Sequence, residues 1–295
     1  MAHNISSPAV VTRTFSQSDF DRFGALSGDD NPIHVSPDFS ARTRFGRTVS
    51  HGMLLYAAIH GLLSTQFPDF SAVTQELMFP NPTFAGEEIT FTTQEIIRNG
   101  ENLSVETILT KTDGTCVCES RTEIAPRQIS KQISGQISRQ ILQKSAIMHN
   151  IEFSSGGTSN SNESNETYKH LAAGQKASVR RTFTPDDITE FLQLAALSAE
   201  SGATHVAPPL FAGMISALLG MTLPGKGTNY LKQRYTFFAE AFSGEELTAS
   251  VEIVRIRAEK ALVNLRTLCH VGGRIIAEGE ALVLAKDVES HTLSH

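Results

Sequence analysis

Eight consecutive residues, Ser27-Gly28-Asp29-Asp30-Asn31-Pro32-Ile33-His34, bring together two carboxylates, an amide and an imidazole. Aspartate and histidine are a pair suited to handling a water molecule near neutral pH. The carboxylate accepts a proton, and the imidazole titrates in the useful range. Gly28 suits the left-handed end of a preceding helix. Pro32 removes a backbone donor and drives Asn31 out of the α region. The segment is therefore expected to be bent and fixed. Other readings stand beside this one. The same residues suit a helix C-cap followed by an Asx/Pro turn with His34 satisfied in the core. A metal site would need companion ligands at regular spacing, which are missing. No Gly-x-Ser-x-Gly elbow and no Walker-type phosphate loop is present.

A second segment, Val49-Ser50-His51-Gly52-Met53, opens an apolar stretch. If that stretch is a helix, its first N–H groups lack intrahelical partners and lie at the positive end of the dipole. Such a place can hold an oxyanion, and a glycine there admits close approach. The plainer reading is that Gly52 avoids a clash at a tight helix entry.

The elements that must position these residues follow from periodicity. Gln17–Leu26 carries Phe20, Phe23 and Leu26 at helical spacing. Ser36-Pro37-Asp38 has the form of an N-cap, a first-position proline and a first-turn acid. Met53–Leu63 is apolar almost all round, which predicts a helix buried on every side. Strand-like runs follow at about 73–80, 87–97, 102–112 and 115–124, with a hairpin turn at Thr112-Asp113-Gly114-Thr115. The expectation is an antiparallel sheet wrapped around one central helix.

The pattern occurs twice. Val11–Asp19 reappears as Val179–Asp187, Gly52-Met53 as Gly213-Met214, and Phe84–Ile89 as Phe242–Leu247. Between the copies, Ile129, Ile133, Ile137 and Ile141 form too thin a stripe to bury much, and 154–166 is Ser/Asn/Gly-rich linker composition. The expected organisation is a first domain over 1–126, a low-complexity tether over 127–170 and a second domain over 171–295. The second copy has no Asp-x-Asn-Pro-x-His segment, so one active site per chain is expected, in the first half.

Composition narrows the field. The chain has 295 residues, 40% of them hydrophobic, and a formal net charge of -6 from Lys+Arg 25 and Asp+Glu 31. That balance argues against non-specific nucleic-acid binding, which needs clustered positive charge. No apolar run is long enough for a membrane span. No secretory signal pattern opens the chain, and three cysteines suit a reducing compartment, so a cytoplasmic location is expected.

The two segments together, Ser27–His34 and Phe45–Met53, resemble the hydratase-2 motif of the MaoC-like (R)-specific enoyl-CoA hydratases. The resemblance covers most of 11–125 and, more weakly, 176–286. It implies an α+β double hot-dog fold working as an intramolecular pseudo-dimer, with a further homodimer as an option. It implies reversible hydration of a trans-2-enoyl thioester of CoA or a carrier protein to the (R)-3-hydroxyacyl product, with no metal and no organic cofactor. Asp29 and His34 would share the water, Asn31 would brace the loop, and the Gly52 N–H would hold the thioester oxygen. His51, Met53, His60 and Lys226 are expected to face the substrate. Position 60 is where some relatives carry a serine, eight residues beyond the helix glycine, and Lys226 would meet CoA phosphates. Dehydration in a synthetic pathway, a hot-dog thioesterase and a non-catalytic acyl-CoA-binding protein are the alternatives.

Overall fold

The computed structural model describes residues 9–127, 171–197 and 204–285. The expected tether lies outside the described residues from position 128 onward. The first half runs β1 (Val10–Thr14), α1 (Gln17–Ser27), two short helices α2 (Pro32–Val35) and α3 (Pro37–Ser40), the long α4 (Gly52–Gln66), then β2 (Phe70–Met78), β3 (Glu88–Asn99), β4 (Asn102–Lys111) and β5 (Cys116–Pro126). Among the described residues the second half repeats it without the short helices: β6 (Lys176–Thr182), α5 (Pro185–Leu194), α6 (Pro208–Met221), β7 (Asn229–Phe237), β8 (Glu246–Arg257), β9 (Leu262–Val271) and β10 (Arg274–Leu284).

Local chemistry explains the boundaries. α1 begins at a capping box in which the Ser16 hydroxyl accepts the Asp19 N–H and the Asp19 carboxylate accepts the Ser16 N–H. Thr184 and Asp187 do the same for α5. Gly28 ends α1 at φ 79°, a left-handed conformation that glycine adopts without a Cβ penalty. The β4–β5 hairpin closes where Gly114, at φ 83°, donates to the Lys111 carbonyl. α4 and α6 are apolar on nearly every face, and each is buried along most of its length.

All ten strands join one antiparallel sheet in the order β1-β3-β4-β5-β2-β7-β10-β9-β8-β6. Read from the middle outward, the two halves have the same order, so the β2–β7 seam marks a pseudo-two-fold axis. Across it Thr74 pairs with Thr236 and Met78 with Lys232. The sheet packs against α4 and α6, which also pack on each other, and the cluster of buried apolar side chains is continuous through both halves. This is the α+β double hot dog, two hot dogs in one chain. Among the described residues no helix is long and apolar enough to cross a membrane.

The internal symmetry corrects one pairing. Val49 forms an isolated bridge with Phe84, and His205 forms the matching bridge with Phe242. The Ser50 N–H donates to the Thr83 carbonyl, and the Val206 N–H to the Ala241 carbonyl. The counterpart of Gly52 is therefore Pro208, the first residue of α6, and that of His51 is Ala207. Gly213 lies midway along α6 and is a glycine for another reason. A Cβ there would stand 2.4 Å from the Cβ of Ser27 at the end of α1.

Candidate active site

The Ser27–His34 segment is a built loop. The Ser27 hydroxyl donates to the Phe23 carbonyl and accepts the Asp29 N–H. The Asn31 side chain caps α2 by accepting the Ile33 N–H, and its amide donates to the Gly220 carbonyl of α6 at 3.3 Å. Asn31 thereby braces the loop within itself and against the second half. His34 lies in the single turn of α2. Its Nδ1 lies 2.7 Å from the Val49 carbonyl, which fixes the proton on Nδ1 and leaves Nε2 as an acceptor in the neutral ring.

Asp29 is 1% exposed, and neither carboxylate oxygen makes a hydrogen bond of good geometry, although the Ser216 hydroxyl and the Asn31 backbone N–H lie close to the carboxylate. Burial holds its carboxyl above the usual carboxylate range. The nearby His34 charge opposes that shift most strongly, followed by the Ser216 hydroxyl and the Asn31 backbone N–H. Asp29, His34 and His51 each put one ligand atom within 4.8 Å of the others. This trio is the set of described residues that could hold a metal ion. One nitrogen of each histidine is already engaged with a backbone carbonyl.

Gly52 begins α4, whose N-cap His51 makes no side-chain capping bond, so the first amides of the helix keep their donors. Asp29, His34 and Gly52 line one cavity of about 350 Å³. Leu55, Phe79–Thr83 and Val117 add walls from the first half, and Ser216, Leu219 and Thr228–Leu231 close the cavity from the second. The Phe79 ring stands where a Gly52 Cβ would be, at 2.9 Å, so the clash-avoiding reading of this glycine holds together with its place in the wall. Arg44, exposed and lying over the Phe45 ring at 4.7 Å, borders the mouth.

The remaining expected residues go elsewhere. His51 is fully buried beneath His34, ring centroids 4.0 Å apart at 29°, and its Nε2 lies 2.8 Å from the Asp29 carbonyl oxygen. Burial pushes its pKa well below the usual histidine value, with the His34 charge adding to the shift. It is a neutral ring that donates to the loop backbone and positions Asp29. Met53 is fully buried in the core, because α4 is apolar on that face too. His60, eight residues or about 12 Å along the helix from Gly52, lines a different cavity. Lys226 sits half-buried in the turn between α6 and β7, two residues before the cavity wall begins at Thr228.

The residue missed from sequence is Ser216. Counting eight residues from Pro208, the true counterpart of Gly52, reaches Ser216 of α6, which is buried beside Asp29 in the cavity of the other half. A serine eight residues beyond the start of the helix is therefore supplied across the pseudo-two-fold.

Comparison with known proteins agrees with this architecture. Residues 4–114 match the model of the MaoC like domain. An (R)-specific enoyl-CoA hydratase from Rhodospirillum rubrum is 35% identical over 132 residues, 40% of this chain and 90% of the relative. A 3-hydroxybutyryl-CoA dehydratase from Methylorubrum extorquens is 30% identical over 128 residues, covering 39% and 82%. A conserved hypothetical protein from Mycobacterium tuberculosis, described as a double hotdog fold, superposes over 96% of each chain with a TM-score of 0.66 at 13% identity. With hydratase and dehydratase relatives matched over most of their own length, and the whole chain superposing on a double hot dog, the protein belongs to the MaoC-like family of hydratases and dehydratases in its double hot-dog form.

Proposed function

We propose that the first-half cavity adds water reversibly to a trans-2-enoyl thioester, giving an (R)-3-hydroxyacyl thioester. The observation that carries this reading is the buried Asp29 carboxylate, its oxygens in no hydrogen bond of good geometry, within 4.8 Å of a His34 ring nitrogen in a cavity shared with the start of α4. One water making two hydrogen bonds of about 2.8 Å at a tetrahedral angle spans acceptors about 4.5 Å apart. With Asp29 ionised and Nε2 of His34 unprotonated, both water hydrogens are held. The oxygen lone pairs are then left toward the β-carbon. As the C–O bond forms, the dyad takes one water proton and returns a proton to the α-carbon on the same face. The thioester oxygen gains negative charge between these steps, and the Gly52 N–H at the positive end of α4 is placed to bind it.

This chemistry needs no metal and no organic cofactor, and it runs equally as dehydration of the 3-hydroxyacyl thioester. Arg44 at the mouth is the cation placed to meet the phosphates of CoA. Crotonyl-CoA tests the reading. The purified chain should bleach the enoyl-thioester absorbance without releasing free thiol, and the product should be the (R) alcohol. Asp29→Asn and His34→Gln should each lower kcat about 10²–10⁴-fold with folding retained. Unchanged rates in both variants, or free thiol and acid as products, would overturn it.

A further inference from the structure

The pseudo-two-fold that builds the first cavity builds a second among the described residues. Its volume is about 530 Å³. Its walls are the counterparts of the first cavity's walls. Val206, Pro208 and Phe211 stand for Ser50, Gly52 and Leu55, and Phe237–Ala241 stands for Phe79–Thr83. Across the axis, His60 and Leu63 of α4 take the places that Ser216 and Leu219 of α6 hold in the first cavity.

Its chemistry has been removed at three points. Between the caps (Ser16 and Thr184) and the bridges (Val49 and His205) the second half is shorter, and the residues of the acid–base loop have no counterpart. Proline at 208 has no N–H, so the amide that Gly52 offers is absent from this side. Histidine at 60 replaces the serine. It is not positively charged near neutral pH, since burial and the charges of His205 and Arg127 bring its pKa down to about 4. What survives is a space walled by Phe67, Phe70, Phe211 and Phe237, with Arg127, bonded to the Pro68 carbonyl, and Arg274, paired with Glu245, exposed at its rim.

A concave cleft lined mainly by aromatic and apolar side chains, with a few polar groups at its edge, is the usual form of a small-molecule site. We propose that the second cavity is a non-catalytic binding site for an acyl thioester of CoA. The aromatic walls take the acyl chain and the rim arginines face the phosphates. This rests on the thioester reading of the first cavity, and extends it to a second ligand molecule per chain.

Octanoyl-CoA, which has no double bond to hydrate, separates the two readings. Calorimetric titration of the full chain should give two sites. Ser64→Trp on α4, or Ala239→Trp on the opposite wall, fills the second cavity and should leave one site. Crotonyl-CoA turnover should stay within about twofold, which also reports that the variant is folded. Either variant suffices if the other fails to fold. A single site untouched by both variants, two sites untouched by both, or no binding at all would overturn the proposal. Absence of turnover in the unmodified chain would count against the hydratase reading alone, since the number of sites lost on filling the second cavity is read without it.

Discussion

At Asp29 two demands oppose each other. The carboxylate must be ionised to accept a proton from water, yet burial favours its neutral form, and the His34 charge and the Ser216 hydroxyl offset that only in part. The acid limb of kcat/KM should therefore lie above the ordinary aspartate range near 3.9. Ser216→Ala removes one of the influences that favour the charged form. Its acid limb should move to higher pH, with a loss of up to about tenfold at the plateau. A limb that stays in place would show that Ser216 does not face the charge. His60 gives a stability prediction of known sign. Its folded pKa of about 4 lies below the ordinary 6.5, so the folded state binds a proton less readily than the unfolded chain. The stability tied to its neutral form is present above pH 6.5 and lost as pH falls toward 4, by about 2–3 kcal/mol. His60→Gln should lose less over that window in denaturant titrations. His51 contributes in the same direction and remains in the variant, whereas Asp29, with its raised carboxyl, runs the other way. Asp29, Asn31, His34 and Gly52 were legible because they are consecutive or sit at a helix start, where residue type implies geometry. Ser216 was not, because its place depends on a symmetry axis that no local spacing encodes.

Elements with strong local signals were the readable ones. The helical spacing of Phe20, Phe23 and Leu26, the proline after Ser36, the apolar run of α4 and the Asp-Gly turn at 113–114 each report an element through a few neighbouring residues. The edge strand β1 was not read as a strand. Its five residues show an exposed pattern, and it owes its form to pairing with β3. The start of α6 was misplaced because the dipeptide Gly-Met recurs at 213–214, whereas the real signal is the proline pair Pro208-Pro209 at the first helical positions. Gly213 answers a packing demand. α6 crosses the end of α1 so closely that a Cβ at 213 would overlap Ser27, the residue whose hydroxyl receives the Asp29 N–H. Gly213→Ala should therefore destabilise the fold by about 1–3 kcal/mol. It should also lower kcat more than other cavity-distant changes of equal stability cost, because the displaced Ser27 carries Asp29 with it. Equal stability loss with unchanged kcat at a temperature where both proteins are folded would show that the α1–α6 contact does not position the loop.

The two halves are unequal in chemistry and inseparable in structure. The first supplies the acid–base loop and the helix amide. The second supplies Ser216, the Gly220 carbonyl that receives Asn31, and the wall from Thr228 to Leu231. Neither half encloses the first cavity alone. What joins them is the β2–β7 seam, five register pairs from Thr74↔Thr236 to Met78↔Lys232, with Glu76 facing both Lys232 and Arg234 across it. Beneath the seam, α4 packs on α6 in a shared apolar core. Exposed ion pairs such as these contribute roughly 0–1 kcal/mol each. The burial of two apolar helices stabilises the union far more, at about 25 cal/mol per Å² of apolar surface removed from water. This makes the covalent connection between the halves dispensable for holding them together. A protease site placed near position 150, cut after folding, should leave two fragments that co-elute on size exclusion and retain crotonyl-CoA hydration within about twofold of the uncut chain. Residues 1–145 expressed alone should show no hydration, because a self-paired copy would set Ser64 in the place of Gly220, where a Cβ stands 2.8 Å from the Asn31 amide that braces the acid–base loop, and the bulkier His60 in the place of Ser216. Fragments that separate after the cut, or a cut protein that stays associated but loses activity, would mean that the segment between 127 and 171 does more than connect the two hot dogs.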